Sequence, residues 1–215
     1  MIELLVKVLA SYLIGSVVGS LVVGRLRGGV DIRTLGSGNA GGTNALRTQG
    51  KAFAFWVILI DVAKGWVAAR VIATLVVPGM PAAVPELREW LPAVCAAAAI
   101  VGHVYPAWHG FRGGKGVATL AGALAGVAPT LLVPVLLTWL SAVALFGFVS
   151  LASILAAVLL PVYALLFDTQ PREPLVAFGA FVAAIVLFTH RSNLARIRAG
   201  SEPRARRLWL FGPGR

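Results

Sequence analysis

The chain has 215 residues, 59% of them apolar and 13% charged, and nineteen bases against eight acids leave a net charge of +11. A soluble domain carries about 25% charged residues, and neither a nucleic-acid binder nor a disordered chain joins this basicity to a mean hydropathy of +0.87. Such a composition belongs to an integral membrane protein. Each crossing takes roughly 20 mostly apolar residues, because the hydrocarbon core is about 30 Å thick and a helix rises about 1.5 Å per residue. In chain order, spans are expected at 3–24, 52–77, 90–108, 129–148, 150–167 and 174–190. The 33 residues from Val117 to Val149 would make one helix of roughly 50 Å. Pro129 and Pro134 offer breaks in it, and splitting it yields a short extra helix over 116–127. The expected architecture is all-α, with about seven transmembrane helices in a single membrane-embedded domain over 1–215. The first span has Glu3 ahead of Lys7 rather than a basic leader, so it is expected to stay as an uncleaved helix.

Charge sets the expected orientation. The stretch 25–51 holds five bases, 109–116 holds two and 190–215 holds seven, whereas 78–89 and 168–173 hold one each. Basic loops stay in the cytoplasm, which places the amino terminus outside and the carboxyl terminus inside. The tail arginines suit anionic lipid, at about 1 kcal/mol each.

Polar groups in lipid need a reason, since each unsatisfied one costs several kcal/mol. Here they collect in Leu35–Lys51, Gly102–Thr119 and His190–Arg204, all at expected cytoplasmic helix ends, and they read as one composite site. GSGNAGGTN has four glycines in nine residues, which lets backbone N–H groups turn inward as an anion-binding nest. Ser37, Asn39, Thr43 and Asn44 add neutral donors, and Arg47 supplies a fork suited to phosphate oxygens. FRGGKG repeats the design with Arg112 and Lys115. His190, Arg191, Asn193 and Arg196 fall at helical spacing. Donor-rich segments with few acids suit a phosphorylated substrate.

Two look-alikes fail. GSGNAG matches G-x-G-x-x-G, but no strand precedes it. GFRGGKG lacks both the first glycine and the final hydroxyl of a phosphate loop. The lone cysteine, Cys95, excludes a disulfide framework and a cysteine zinc site. The acids are too few and dispersed for an oxygen cage, so no metal and no cofactor are expected.

The three stretches, with VDIR before the first and DVAKG in the second span, resemble the bacterial acyl-phosphate-dependent glycerol-3-phosphate acyltransferases, the PlsY family. The likeness covers nearly the whole chain. It implies a seven-helix inner-membrane enzyme with its active site on the cytoplasmic side. Such an enzyme moves a fatty acyl group from acyl phosphate to glycerol 3-phosphate, giving 1-acyl-glycerol 3-phosphate and phosphate. Two departures stand out. The first span reads GSVVGSLVVGR where a proline commonly follows Gly-Ser-x, which bears on that helix's bend, and Gly42 replaces the usual alanine.

By this resemblance Ser37, Gly38, Asn39, Thr43, Asn44, Arg47, Lys115 and Asn193 bind substrate phosphate, with His190 and Glu202 completing the pocket. His103 is a candidate to orient or deprotonate a hydroxyl, against the plainer reading of a structural hydrogen-bonder at a helix end. His109, beside Trp108 and Phe111, reads as part of an interfacial belt. Asp61 and Lys64 are expected to pair on one helix face. The positions five after each histidine are Trp108, Gly114 and Ala195, so the histidine–aspartate dyad of that spacing, used by many glycerolipid acyltransferases, is absent. Acyl phosphate is already activated, so catalysis is expected to rest on positioning and charge neutralisation by Arg47, Lys115 and the nest. The rival reading is a membrane anion transporter or channel, although no internal repeat supports it.

Overall fold

An apolar run in lipid folds as a helix because a helix satisfies its own backbone. The computed structural model describes residues 1–76, 79, 84–167, 170–206 and 208–212, and among these all regular structure is helical. The helices are α1 (Ile2–Gly15), α2 (Gly19–Leu26), α3 (Gly42–Gln49), α4 (Lys51–Trp66, running on through a wider turn to Ile72), α5 (Pro85–Val104), α6 (Val117–Val127), α7 (Pro129–Phe146), α8 (Val149–Leu166), α9 (Arg172–Thr189) and α10 (Arg191–Arg198). Among the described residues, five are long and apolar enough to cross a membrane, and α1 with α2 makes a sixth if the bent pair counts as one span. The long apolar run divides where proline predicts. Pro129 opens α7, a position with no intrahelical donor to lose. Pro134 instead lies inside α7. The loops expected at 78–89 and 168–173 lie partly outside the described residues.

The chain forms two compact units, Met1–Val127 and Ala128–Arg215. In the first, α1 packs on α5, α4 packs on α6, and α2 and α3 lie against α4. In the second, α8 packs between α7 and α9.

The first span is bent by 46° although it carries no proline. Residues 16–18 break it, with Val18 extended. A break inside lipid frees backbone groups that must find partners, and α4 provides them. Lys64 Nζ donates to Val17 O at 2.7 Å, and Gly19 N donates to Asp61 Oδ1 at 3.0 Å. Asp61 and Lys64 pair as the sequence suggests, at 2.9 Å, and both are buried. Lys64 Nζ also lies 2.8 Å from His103 Nδ1, which is itself 3.3 Å from Asp61 Oδ1. Each of the three donors of the ammonium thus has a neighbour within reach. Lys7 follows the same rule, pairing with Glu3 at 2.7 Å and donating to Ala73 O at 2.8 Å.

Removing one member of a buried pair strands the other charge, which costs about 3–5 kcal/mol. Lys64→Met and Asp61→Ala are each expected to destabilise the folded protein by that order in thermal unfolding. The double variant should lose less than the sum of the two.

Candidate functional site

The first polar stretch folds as a loop closed on itself by one side chain. Asn44, buried in the first turns of α3, places Nδ2 3.0 Å from each of Ile32 O, Leu35 O and Asn39 O, so its two protons are shared among three carbonyls. Its Oδ1 accepts from Ser37 N at 3.0 Å. Gly36 and Gly38 sit at φ +56° and +71°, a region that other residues avoid. Ser20 Oγ donates to Ala40 O at 2.7 Å and ties the loop to α2. Ser37 and Gly38 are exposed at its rim, and Asn39 is half-buried. The chain then enters α3 from Gly41 with no side-chain cap. The first amides of that helix therefore keep their positive end open to an anion. Thr43 and Arg47, one turn apart, are both exposed on α3. Asn44 thus ties Ser37 and Asn39 into the loop, and Thr43 and Arg47 lie on the helix that leaves it.

The second stretch leaves α5 at Val104 and folds back under itself. Gly113 N donates to Val104 O and Gly114 N to His103 O, each at 3.1 Å. The glycines are needed here for contact, since a Cβ at Gly113 would collide with His103 O and one at Gly114 with the imidazole. His103 is therefore sealed beneath the loop that carries the half-buried Lys115. Its Nδ1 lies 2.8 Å from Lys64 Nζ and 3.3 Å from Asp61 Oδ1, and its Nε2 faces Gly114. His103 thus supports the loop through its carbonyl, which accepts from Gly114 N, and through its ring, which packs on Gly114. Trp108 and Phe111 are exposed, as an interfacial belt requires.

The two stretches meet at Arg33. Its guanidinium grips Asp31 and donates through Nη1 to His109 O at 3.1 Å and Arg112 O at 2.9 Å. The paired Asp31 raises the Arg33 pKa further, and that hydrogen-bonded guanidinium holds the Asp31 carboxyl below the usual range.

The third stretch lies in the second unit around Glu202. Its Oε1 accepts from Ser150 Oγ at 2.7 Å and Asn193 Nδ2 at 2.6 Å, and its Oε2 accepts from Arg196 Nε at 2.8 Å. Asn193 and Arg196 share one face of α10, as the helical spacing predicts. His190, buried at the α9–α10 junction, lies with Nδ1 2.9 Å from Val186 O. A carbonyl only accepts, so Nδ1 carries a proton. The tail after Glu202 docks on the α7–α8 turn: Ala205 N donates to Gly147 O at 2.8 Å, and Arg204 stacks on Phe148 and Trp209. At least one tail arginine is thus engaged with aromatic rings.

Arg33 thus joins two glycine-rich loops within the first unit, one running into the helix of Arg47 and the other carrying Lys115. The family model for glycerol-3-phosphate acyltransferase matches residues 5–200. The chain belongs to that family. Similar glycerol-3-phosphate acyltransferases include those of Chlorobaculum parvum, 38% identical over 95% of this chain and 97% of the relative, and of Synechococcus sp., 39% identical over 99% and 100%. Among solved structures, PlsY (YgiH), described as an integral membrane glycerol 3-phosphate acyltransferase in its glycerol 3-phosphate form, superposes with a TM-score of 0.80. It is 33% identical, and the match covers 94% of each chain. Its lysophosphatidic acid form superposes at 0.78. Like that protein, this acyltransferase-family chain is an integral membrane protein.

Sequence reasoning missed Ser150, which opens α8 within FVSLAS, because a serine in an apolar run carries no charge or periodicity signal. It also counted Arg33 only as a loop base. The arginine's proximity to Asp31 was visible, but its reach to residues 76 and 79 positions away was not.

Burial alone would raise the Glu202 pKa, but donors on Asn193, Ser150 and Arg196 hold it below the ordinary 4.5. A depressed folded-state pKa contributes stability above the unfolded value and loses it as pH falls through the folded one. Glu202→Gln should therefore unfold at a lower temperature than wild type at pH 7. The gap should close as pH falls below about 4.3, in thermal unfolding followed across pH 3–8.

Proposed function

We propose that this protein transfers a fatty acyl group from acyl phosphate to the hydroxyl of glycerol 3-phosphate, releasing 1-acyl-glycerol 3-phosphate and inorganic phosphate. The observation that carries the reading is the joining of two glycine-rich loops, one leading to Arg47 and the other to Lys115, through the Arg33 clamp. Its family membership and the ligands named for the solved PlsY structures support the same acceptor and product.

In the proposed step the glycerol hydroxyl oxygen attacks the acyl carbonyl, and the bond from that carbon to the phosphate oxygen breaks. The electron pair leaves with phosphate, and a phosphate oxygen takes the hydroxyl proton. No side-chain base is then required. Arg47, Lys115 and the backbone amides of the first loop stabilise the charge that builds on the leaving group. Ser37, Gly38, Asn39 and Thr43 orient the phosphates, and Asn44 and His103 hold the loops that present them. His190, Asn193 and Glu202 contribute to substrate binding, with Glu202 setting the orientation of Asn193 and Arg196. The chain acts as one catalytic domain over 1–215, crossing the bacterial inner membrane about seven times. Its amino terminus lies outside, its carboxyl terminus and the site lie in the cytoplasm, and the tail lies against anionic lipid.

Arg47→Ala and Lys115→Ala should each remove a charged hydrogen bond of about 1.5–3 kcal/mol. Catalytic efficiency should then fall roughly 10- to 150-fold with expression preserved, while His109→Ala stays within a few fold. Purified enzyme with radiolabelled glycerol 3-phosphate should form lysophosphatidate from palmitoyl phosphate, without added metal or nucleotide. Turnover from acyl-coenzyme A alone would overturn the donor assignment, and anion flux without acyl transfer would favour a transporter. Reporter fusions after Arg215 should read cytoplasm, and those in 78–89 should read the outside.

A further inference from the structure

Among the described residues, Phe111 is the only non-glycine at positive φ, at +57°. An aromatic residue with a Cβ avoids this region and stays there only where its surroundings over-determine it. The acyl-transfer reading gives Phe111 no task. Beyond its own backbone bonds from His109 N and Phe111 N to Pro106 O, its turn is gripped at both ends by one side-chain atom. Arg33 Nη1 donates to His109 O, before the turn, and to Arg112 O, after it, at 3.1 and 2.9 Å.

The rest of the guanidinium is committed to Asp31. Nε lies 3.0 and 3.1 Å from the two carboxylate oxygens, and Nη2 lies 2.7 Å from Oδ2. The carboxylate is itself fixed, because Asp31 Oδ1 accepts from Arg33 N at 2.9 Å. One edge of a flat cation therefore faces its own carboxylate, and the other faces the second loop.

Each side of this bolt is built into a candidate binding element. On the first side, Ile32 O is one of the carbonyls that Asn44 uses to close the glycine loop. On the second side, the turn continues into Gly113 and Gly114, whose amides are bonded to Val104 O and His103 O, and Lys115 follows at once.

We infer that Arg33, locked by Asp31, is a positioning residue that holds the strained His109–Arg112 turn and so fixes the seat of Lys115 relative to the first glycine loop. Lysine at 33 keeps the charge but lacks the planar fork that serves a carboxylate and two carbonyls together. The conservative variant is therefore the informative one.

The experiment compares full-length wild type, Arg33→Lys and Asp31→Asn in phosphatidylglycerol-containing nanodiscs, by amide hydrogen exchange and by steady-state kinetics. Amides of 107–116 should exchange at least tenfold faster in Arg33→Lys and less so in Asp31→Asn, with α8 unchanged. Unchanged exchange over 107–116 in Arg33→Lys overturns the clamp. Faster exchange throughout the first unit makes Arg33 a general stabiliser and overturns the positioning role too. The kinetic arm rests on the acyl-transfer reading. There KM for glycerol 3-phosphate or for acyl phosphate should rise at least fivefold in Arg33→Lys, with kcat within threefold. Loss of folded enzyme lowers kcat and leaves KM alone, so two unmoved KM values also overturn the proposal. Absence of turnover in the wild type defeats only the acyl-transfer reading, and the exchange result still decides the clamp.

Discussion

The first unit depends on keeping one buried ammonium neutralised in an apolar slab. Lys64 is held by the carbonyl of Val17 in the broken first span, by Asp61 on its own helix and by His103 on α5. Gly114, next to Lys115, rests on that imidazole. The break in the first span, the α4–α5 contact and the seat of a candidate catalytic lysine therefore share a single charge. None of them can shift without exposing that charge to lipid, where an unpaired ion costs several kcal/mol.

The acids explain why the site is basic. The chain has eight. Glu3, Asp31, Asp61 and Glu202 each pair with a cation, and Glu202 also collects two neutral donors. In each case the carboxylate organises its neighbours. The exposed Arg47 lies on a short helix with no acid of its own, in a stretch that has none between Leu35 and Lys51. Arg47 and Lys51 thus face no acid in that stretch, and the amides that open α3 have no side-chain cap.

Much of this was legible from residue order. Apolar length and proline placed the helices, including the short α6, because lipid allows few alternatives to a helix. Asp61 and Lys64 were readable as a pair because helical spacing is a local property. The three polar stretches stood out because polar residues are rare in such a chain. The bend in the first span was harder to read. Proline is the usual signal, and here side chains from another helix satisfy the break instead. His103 was ambiguous for a similar reason: its identity suits catalysis, and its burial beneath Gly114 and its contacts with Lys64 and Asp61 were not readable from residue order. Ser150 and the far reach of Arg33 are long-range facts that no periodicity encodes. Asn44 shows the subtlest gap, since an amide among glycines reads equally well as a ligand for phosphate or as the latch of the loop.

That latch has a consequence for the thermodynamics of binding. Because Asn44 already shares its two amide protons among three carbonyls and accepts from one backbone amide, the loop's shape is a property of the empty protein. An anion bound there as proposed would have no segment to freeze, so little of its interaction energy would be lost to ordering. Such a site would take and release charged molecules without folding and unfolding around them. Its affinity is governed by exchange of hydration water and counterions, and so by the salt content of the medium.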